Sequence, residues 1–415
     1  MNKEYYNMLL GSVYYDSTDL RYNNQYKFFL SNQQLMDYQQ FKNDLIEKHD
    51  KNIQVLDLKS FNSKYIYFVL GQCLRSLQVT YLKIVLSDLT DNQSTIIDRN
   101  FDEMLTARIL SELDGSMQIE NVPTTRTRLE QIKNGKEPEN QNECVARNMI
   151  RAIEFILKRP EFNKENLHSL YMILSKDCLT QSQELNDRYY RDDVVYIDNY
   201  EGCPHEQIDK CMSSLFEFVK KHINNENNYI QDMLPHICHY YILYIHPYFD
   251  YNGRTARIVS LWISILIKQF SAPFFISEAI NDDKKKYYNA LRETRDMGND
   301  LTYFLIYILN TSIRYSLIYR NLDYISQELL NKGILLTRKE KFYIKVILRG
   351  ASDGYFDYKK FLTIANIDIT KQAALKILNK LTEYGILYST VNNKKVKLFN
   401  LNDKYIKYTN SKQTN

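Results

Sequence analysis

Twelve consecutive residues are the most informative about the fold and chemistry of this chain: His246-Pro247-Tyr248-Phe249-Asp250-Tyr251-Asn252-Gly253-Arg254-Thr255-Ala256-Arg257. An apolar helical pattern ends just before them, and Pro247 cannot continue a helix because it has no backbone N–H to donate. Apolar residues at helical spacing resume after Arg254. The stretch is therefore predicted to be a short polar loop that leads into the N-terminus of a buried helix.

A loop of this kind favours an anion, because free backbone N–H groups and the helix dipole attract negative charge. Arg254 and Arg257, three residues apart, share one face of the first turn and can donate charge-assisted hydrogen bonds to two phosphates. Asp250 offers a hard oxygen ligand for Mg²⁺, and His246 can accept a proton near neutral pH. Together these groups predict phosphoryl or nucleotidyl transfer.

The same residues resemble the signature of the Fic family, H-P-F-x-[DE]-G-N-G-R-x-x-R, most of whose members transfer AMP from ATP to a protein hydroxyl. Two positions depart from that pattern. Tyr248 replaces Phe and keeps an aromatic anchor, and Tyr251 replaces a Gly of the anion loop. Because Gly253 is retained, we expect the anion site to survive.

The resemblance implies a role for each matching residue, with ATP as the substrate. His246 would be the general base that deprotonates the target hydroxyl, and Asp250 would hold Mg²⁺ or Mn²⁺. Asn252 and Gly253 would help to cradle the α-phosphate. The two arginines of the motif would face the β- and γ-phosphates.

The resemblance continues on both sides, over roughly residues 105 to 315. Tyr287 and Tyr288 resemble the helix that lines the adenine pocket, although such tyrosines also occur in ordinary protein cores. A strand-like run resembles the hairpin flap that aligns a target segment by strand addition. The run extends from Tyr190-Arg191 through Ile197, and its target-docking residues would be Val194, Val195, Tyr196 and Ile197.

An upstream segment, residues 116–121, resembles the inhibitory pattern of the family, [ST]-x-x-x-E-[GN]. Its matching positions are Ser116, Glu120 and Asn121. A carboxylate that reaches an active-site arginine uses the charge that a γ-phosphate needs, so Glu120 is predicted to pair with Arg257 and to inhibit the enzyme. The opposite reaction, removal of AMP, stays open because Glu120 could also position a hydrolytic water.

The C-terminal segment has a different composition. From Thr337 to Asn415 it carries sixteen Lys/Arg and six Asp/Glu, a net charge of +10, whereas the whole chain has +4. Its pattern predicts three helices and a two-stranded hairpin, the order of a winged helix-turn-helix. Asn392-Asn393 would supply the left-handed backbone that a tight hairpin turn needs.

Such a module is typical of DNA-binding proteins. Its third helix, Thr370 to Tyr384, would enter the major groove, and three lysines would reach phosphates or base edges. These are Lys371, Lys376 and Lys380. A basic winged helix that binds protein instead of DNA is an equally open interpretation.

Helical periodicity dominates the rest of the chain and predicts a mainly α protein with a small β-hairpin flap. The predicted domains are an N-terminal helical region (1–105), a Fic-like catalytic core (106–325) and the winged helix (330–410). The pattern from Phe101 to Leu113 predicts a helix that breaks at Asp114-Gly115. The polar stretch from Pro123 to Asn142 predicts a loop.

Composition excludes several other classes of protein. Hydrophobic residues make up 44% and charged residues 25%, which excludes disorder over most of the length. Without a signal-peptide pattern or an apolar run of about 18 residues that could span a membrane, the chain is predicted to be cytoplasmic, with no membrane partner. His236, Cys238 and His239, which precede the twelve-residue motif, do not have the spacing of a zinc site.

The sequence thus predicts an autoinhibited protein adenylyltransferase that modifies a Ser, Thr or Tyr hydroxyl. The target protein is unidentified and includes the chain itself as a candidate, and a homodimer stays open. The alternative is a DNA-binding transcriptional regulator whose Fic-like core only senses nucleotide or partners.

Overall fold

The computed structural model describes residues 3–10, 31–62, 64–91, 109–123, 125–197, 200–224, 229–267, 276–350, 354–365, 367 and 369–406. Within them the chain is mainly helical and has three small antiparallel two-stranded sheets, which confirms the predicted fold class at that level. The chain divides into two units, residues 1–313 and 314–415. The finer domain boundaries stay predictions.

The first unit contains most of the helices. They are α1 (Lys3–Leu9), α2 (Asn32–Glu47), α3 (Gln72–Asp91), α4 (described over residues 109–119), α5 (Arg126–Lys133), α6 (Gln141–Leu157), α7 (Lys164–Ser175), α8 (His205–His222), α9 (Tyr229–Ile245), α10 (Asn252–Leu266), α11 (Ile276–Asp282), α12 (Lys284–Asp296) and the start of α13 (Thr302–Leu330). Its strands are β1 (Ile53–Val55), β2 (Tyr67–Val69), β3 (Tyr196–Ile197) and β4 (Tyr200–Glu201). In the described part of the chain, no helix is both long and apolar enough to cross a membrane.

The helices α9 and α10 form the centre of this unit. Both are buried along most of their length, and they pack against each other, while α6 and α7 contact α10. Trp262 of α10 is fully buried, and its indole N–H donates to the Pro160 carbonyl oxygen at 3.0 Å. This packing fixes the position of the loop that joins α9 to α10.

The predicted break at Asp114-Gly115 is wrong, because α4 runs through both residues to residue 119. A Cβ at Gly115 would lie only 2.4 Å from the Glu278 backbone nitrogen. Glycine therefore serves close packing of α4 against α11 and does not end the helix. Residues 101–108 of the predicted helix lie outside the described residues.

The predicted loop from Pro123 to Asn142 is also wrong in part, because it contains α5. The Thr125 side chain caps this helix by accepting the Arg128 N–H at 3.3 Å. Leu129 and Ile132, three residues apart, are buried on one face. Two apolar residues at the right spacing are enough here because the helix is short and well capped.

The second unit contains three helices and a hairpin after the end of α13. They are α14 (Arg338–Gly350), α15 (Tyr358–Ala365), α16 (Lys371–Glu383), β5 (Leu387–Val391) and β6 (Lys397–Leu401). The strands pair from Leu387 opposite Leu401 to Val391 opposite Lys397. Apolar side chains from all three helices and both strands form one core.

The hairpin turn differs from the prediction in one residue. The left-handed backbone is at Lys395, with a φ of 58°, and not at Asn392-Asn393. Asn392 instead accepts the N–H groups of Lys394 (3.0 Å) and Val396 (2.9 Å) at its Oδ1. A side-chain acceptor at the first turn position closes the loop and leaves the left-handed residue at its end.

Candidate active site

The loop between α9 and α10 is held by its own side chains. Asn252 donates from Nδ2 to the Tyr248 carbonyl oxygen at 2.8 Å and accepts the Tyr248 N–H at 3.0 Å. Tyr248 is fully buried and stacks on Tyr171 of α7, with ring centroids 3.7 Å apart. The Asn252 side chain is thus engaged within the loop, and its backbone N–H is the group it can offer to an anion.

The N-terminus of α10 exposes backbone donors. Tyr251 precedes the helix in a left-handed conformation, with a φ of 67°, and within the described structure its side chain makes no capping hydrogen bond. The Thr255 N–H is the first to be bonded to the turn, at 2.9 Å from the Tyr251 carbonyl oxygen. The N–H groups of residues 252–254 therefore point out of the helix end, where an anion would lie.

His246 begins the loop in a left-handed conformation, and its ring is part-buried. Its Nδ1 lies 3.4 Å from the Leu243 carbonyl oxygen. Burial is the main cause that lowers the pKa of His246 to about 4, and the nearby Arg191 guanidinium lowers it further. The imidazole is therefore neutral at pH 7, the form in which a ring nitrogen can accept a proton.

Arg191 ties the flap to this loop. Its backbone N–H donates to the Pro247 carbonyl oxygen at 3.0 Å, and its Nε donates to the His246 carbonyl oxygen at 2.8 Å. Its terminal nitrogens donate to the carbonyl oxygens of Asp193 and Cys203, on either side of the hairpin. The sequence predicts Arg191 at the start of the flap-like segment, but it does not predict the hydrogen bonds that its side chain makes to the loop.

The predicted flap residues form a short exposed hairpin. Tyr196 pairs with Glu201, and the Gly202 N–H extends the pairing by donating to the Val195 carbonyl oxygen at 2.9 Å. Tyr196 is 76% exposed and Val194 is 42% exposed. The hairpin therefore presents apolar side chains to solvent from a backbone that Arg191 fixes to the loop between α9 and α10.

The two arginines of the motif have different partners. Arg257 donates to the Ser116 hydroxyl from Nε (3.0 Å) and Nη2 (2.9 Å), and Nη2 also lies 2.7 Å from Glu120 Oε1. Arg254 stacks on the Tyr251 ring at 3.6 Å from its centroid. The helix α4 thus engages Arg257, whereas Arg254 is held by the loop.

The ion pair between Glu120 and Arg257 is charged at neutral pH. Burial acts to raise the pKa of Glu120, but attraction to Arg257 and their hydrogen bond outweigh it and bring that pKa below its ordinary value. Burial acts to lower the pKa of Arg257, and Glu120 reverses that effect as well. Removing one member would leave the other as an uncompensated charge.

The Glu120 carboxylate lies against the first turn of α10. A Cβ at Gly253 would lie 2.8 Å from Glu120 Oε1 and 3.2 Å from Arg257 Nη1. The glycine therefore permits the carboxylate to approach the backbone at the helix N-terminus, which is where an anion binds. Glu120 occupies space and positive charge beside Arg257 that a phosphate reaching this arginine would also require.

The backbone at the end of α4 explains why the inhibitory pattern has Gly or Asn at its last position. Asn121 has a φ of 54°, the left-handed conformation that Gly and Asn tolerate at the end of a helix. Lys284 of α12 donates to the Gln118 and Ile119 carbonyl oxygens and to Asn121 Oδ1. Lys284 thus anchors the last turn of α4, a role that sequence reasoning missed.

The structure gives different environments to the two predicted adenine-pocket tyrosines. Tyr287 is buried, and its hydroxyl lies 2.9 Å from Nε2 of the buried His239. Tyr288 is 49% exposed. Tyr287 therefore belongs to the core around α9, and Tyr288 is the one that a ligand could reach without rearrangement.

One carboxylate of the loop suits a metal ion that is shared with a substrate. Among the described residues, no three His, Cys, Asp or Glu side chains are grouped as a metal site. The Asp250 side chain is 45% exposed, and its Oδ1 accepts the Tyr251 N–H at 2.5 Å. Mg²⁺ is commonly held by one or two carboxylates together with substrate phosphates and water, so Asp250 fits that use.

The three lysines predicted to contact DNA lie on α16 of the second unit. Lys371 and Lys376 are exposed. Lys380 is also exposed, but its Nζ lies 2.8 Å from Glu340 Oε1. Two of the three cations are therefore available at the surface without breaking this ion pair.

Comparison with known proteins identifies one domain. Residues 142–264, which include α6 to α9 and the loop, match the model of the Fic/DOC family. No curated protein matches the chain. A solved Fic family protein from Desulfovibrio desulfuricans G20 is 16% identical over 81% of this chain and 97% of its own, with a TM-score of 0.48. Fic-1 from C. elegans is 15% identical over 78% of this chain and 86% of its own, with a TM-score of 0.49.

Proposed function

We propose that this Fic/DOC family domain transfers AMP from ATP to a Ser, Thr or Tyr hydroxyl of a protein, and that Glu120 restrains the reaction. Members of the family commonly transfer AMP or other nucleotidyl groups to proteins. The observation that carries the proposal is the Glu120 carboxylate, 2.7 Å from Arg257 and against Gly253. A helix end that already holds a carboxylate is suited to a phosphate.

In the proposed reaction the target hydroxyl gives its proton to the neutral imidazole of His246. The hydroxyl oxygen attacks the α-phosphorus, the bond from that phosphorus to the bridging oxygen breaks, and pyrophosphate leaves. The N–H groups of Asn252 and Gly253 would stabilise charge on the α-phosphate, and Arg254 and Arg257 would hold the leaving phosphates. A divalent cation bound through Asp250 would neutralise phosphate charge.

Restraint by Glu120 follows from competition for the same cation. A γ-phosphate that reaches Arg257 must displace the carboxylate and would be repelled by it at short range. ATP would then bind with its phosphates out of position for transfer. Because Glu120 could instead position a water that hydrolyses the bond between protein and AMP, releasing AMP and the free hydroxyl, AMP removal is a second reaction to assay alongside.

The position of the radioactive label tests the chemistry. We expect [α-³²P]ATP, but not [γ-³²P]ATP, to label protein when the full chain carrying Glu120→Gly is incubated with Mg²⁺ and a lysate of its host cells. Adding His246→Ala should lower the rate by about 10²- to 10⁴-fold. Label from [γ-³²P]ATP, or no label from either nucleotide, would contradict the proposal.

A second candidate function, binding of duplex DNA, is favoured by the second unit. Its net charge of +10 from Thr337 onward and its three helices with a hairpin support a winged helix. We expect the full chain to shift a DNA duplex at low salt, with an affinity that falls steeply as salt rises.

Substitutions in α16 test whether this helix contacts the DNA. Replacing Lys371 and Lys376 by Ala should reduce the salt slope by about 0.9 for each lost phosphate contact. Lys380→Ala should have a smaller effect because Lys380 is paired with Glu340. The absence of any shift at low salt would favour a protein-binding module instead.

A further inference from the structure

We infer that Tyr251 is a positioning residue that orients Arg254 toward a β-phosphate, so that the site distinguishes nucleoside diphosphates and triphosphates from monophosphates. This inference rests on the proposed function, because it concerns the same nucleotide site. It deepens that function by assigning a task to the residue that stands where the family pattern has glycine.

The backbone of Tyr251 is in a conformation that glycine would adopt without cost. A side chain at a φ of 67° is strained, because its Cβ comes close to the carbonyl oxygen that follows. The side chain is 3% exposed, so it is also fully committed to this environment. A strained and buried aromatic residue at a loop position implies a compensating contact of its side chain.

The compensating contact is with Arg254. The guanidinium carbon lies 3.6 Å from the centroid of the Tyr251 ring, well inside the range of a cation–π interaction. Among the described residues Arg254 forms one ion pair, a long one with Asp250, whose Oδ1 is 3.8 Å from Nη2 and whose side chain is 45% exposed. The ring therefore fixes the plane of the guanidinium.

The charge of Arg254 is incompletely satisfied. The residue is 7% exposed, and within the described residues its Nε has no hydrogen-bond partner. Arg257, three residues on, is instead bonded to both Ser116 and Glu120. A buried donor without an acceptor at the N-terminus of a helix is suited to an anionic ligand, and Glu120 leaves this second position open.

Binding of ADP and AMP tests the inference, because the two differ by the β-phosphate and neither requires Glu120 to leave Arg257. Isothermal titration calorimetry would be performed on the full chain and on two variants. Tyr251→Leu keeps a buried apolar side chain and the same backbone penalty but removes the ring. Tyr251→Phe keeps the ring and removes the hydroxyl that lies beside the Cys178 thiol.

We expect Tyr251→Leu to weaken ADP by about tenfold and AMP by less than about twofold, and Tyr251→Phe to change neither. Retained AMP binding shows that the variant is folded. Equal losses for ADP and AMP, or an unchanged ADP affinity in Tyr251→Leu, would overturn the role of Tyr251. Failure of the unmodified chain to bind ADP would instead contradict the proposed function.

Discussion

Single residues set the chemistry of the site through their surroundings as much as through their identity. The protonated His246 ring loses its proton more readily than that of free histidine, because the fold removes the ring from water and places Arg191 nearby. The charge on Arg257 is matched by Glu120, whereas Arg254 has a ring and a distant carboxylate. The same residue type, three positions apart, therefore has two different tasks.

The state of His246 is measurable directly. We expect its ring resonances in the full chain, labelled with ¹³C-histidine and assigned with His246→Gln, to stay constant between pH 8 and pH 5. The reason is a pKa of about 4, caused mainly by burial. A titration midpoint near the free value of about 6.5 would show that the ring is solvated and would remove this basis for its neutral form.

Motif residues could be predicted from the sequence because their spacing is local. His246, Asp250 and the arginines lie within twelve residues, and the turn and helix that arrange them follow from Pro247 and the apolar pattern. The hydrogen bonds of Arg191 could not be identified this way. Its partners His246 and Pro247 are more than fifty residues away, and the sequence does not encode that approach in any short pattern.

At the scale of elements, α4 is a separate part docked on α11 and α12. Gly115 lets it approach the backbone of α11, and the buried Glu112 carboxylate accepts the Ser277 N–H at 2.9 Å. Lys284 holds the other end. Because all three contacts lie outside the Glu120 carboxylate itself, the position of Glu120 depends on how firmly the whole helix is anchored.

Weakening that anchor should increase activity. We expect Lys284→Met to raise AMP incorporation severalfold, though less than removal of Glu120 does. The reason is that three oxygen acceptors at the end of α4 lose the ammonium group that donates to them. The neighbouring Lys285→Met is the control, since Lys285 is exposed. Identical incorporation by the two variants would indicate that Lys284 does not restrain α4.

The elements themselves were only partly predictable. Long amphipathic helices such as α9 and α10 follow from their periodicity. The helix α5 was missed because only two apolar residues mark its buried face, and α4 was interrupted because glycine usually ends helices. For α4 the deciding contact is tertiary, with the backbone of α11. For α5 the Thr125 cap and the ion pair of Arg128 with Glu143 of α6 add to the two apolar residues.

At the scale of the whole molecule, buried histidines tie stability to pH. Burial lowers the pKa of His236 to about 3 and that of His246 to about 4, and it lowers the pKa of His239 as well. Unfolded histidine has a pKa of about 6.5, so between about pH 4 and 6.5 the unfolded chain binds protons that the folded chain does not. Stability therefore falls as the pH falls through this window.

The slope of the unfolding free energy against pH is the sum of the contributions of all titrating groups. Each histidine contributes at most about 1.4 kcal/mol per pH unit. Glu112 acts in the opposite direction, because burial raises its pKa to about 7 and its folded form takes up a proton as the pH falls. Burial raises the pKa of Asp232 as well, but it also lowers the pKa of two further histidines, His168 and His222, so the histidines determine the sign.

We expect the urea midpoint, followed by the fluorescence of the single tryptophan, Trp262, to decrease from pH 7 to pH 5. His236→Gln should reduce that decrease because it removes one of the imidazoles whose pKa burial lowers, and His205→Gln should not. A midpoint that is constant, or that increases toward pH 5, would show that these imidazoles do not govern the acid stability of the first unit.

The central claim is that the Glu120 carboxylate denies Arg257 to the γ-phosphate. The most direct measurement is AMP incorporation from [α-³²P]ATP at matched ATP and Mg²⁺ by the unmodified chain, by Glu120→Gly and by Glu154→Gly, a matched change on the exposed face of α6. We predict that Glu120→Gly increases AMP incorporation by about tenfold or more, the equivalent of about 1.4 kcal/mol, and abolishes any AMP removal. Glu154→Gly should change neither reaction. Equal incorporation and equal AMP removal by the unmodified chain and Glu120→Gly would contradict the account.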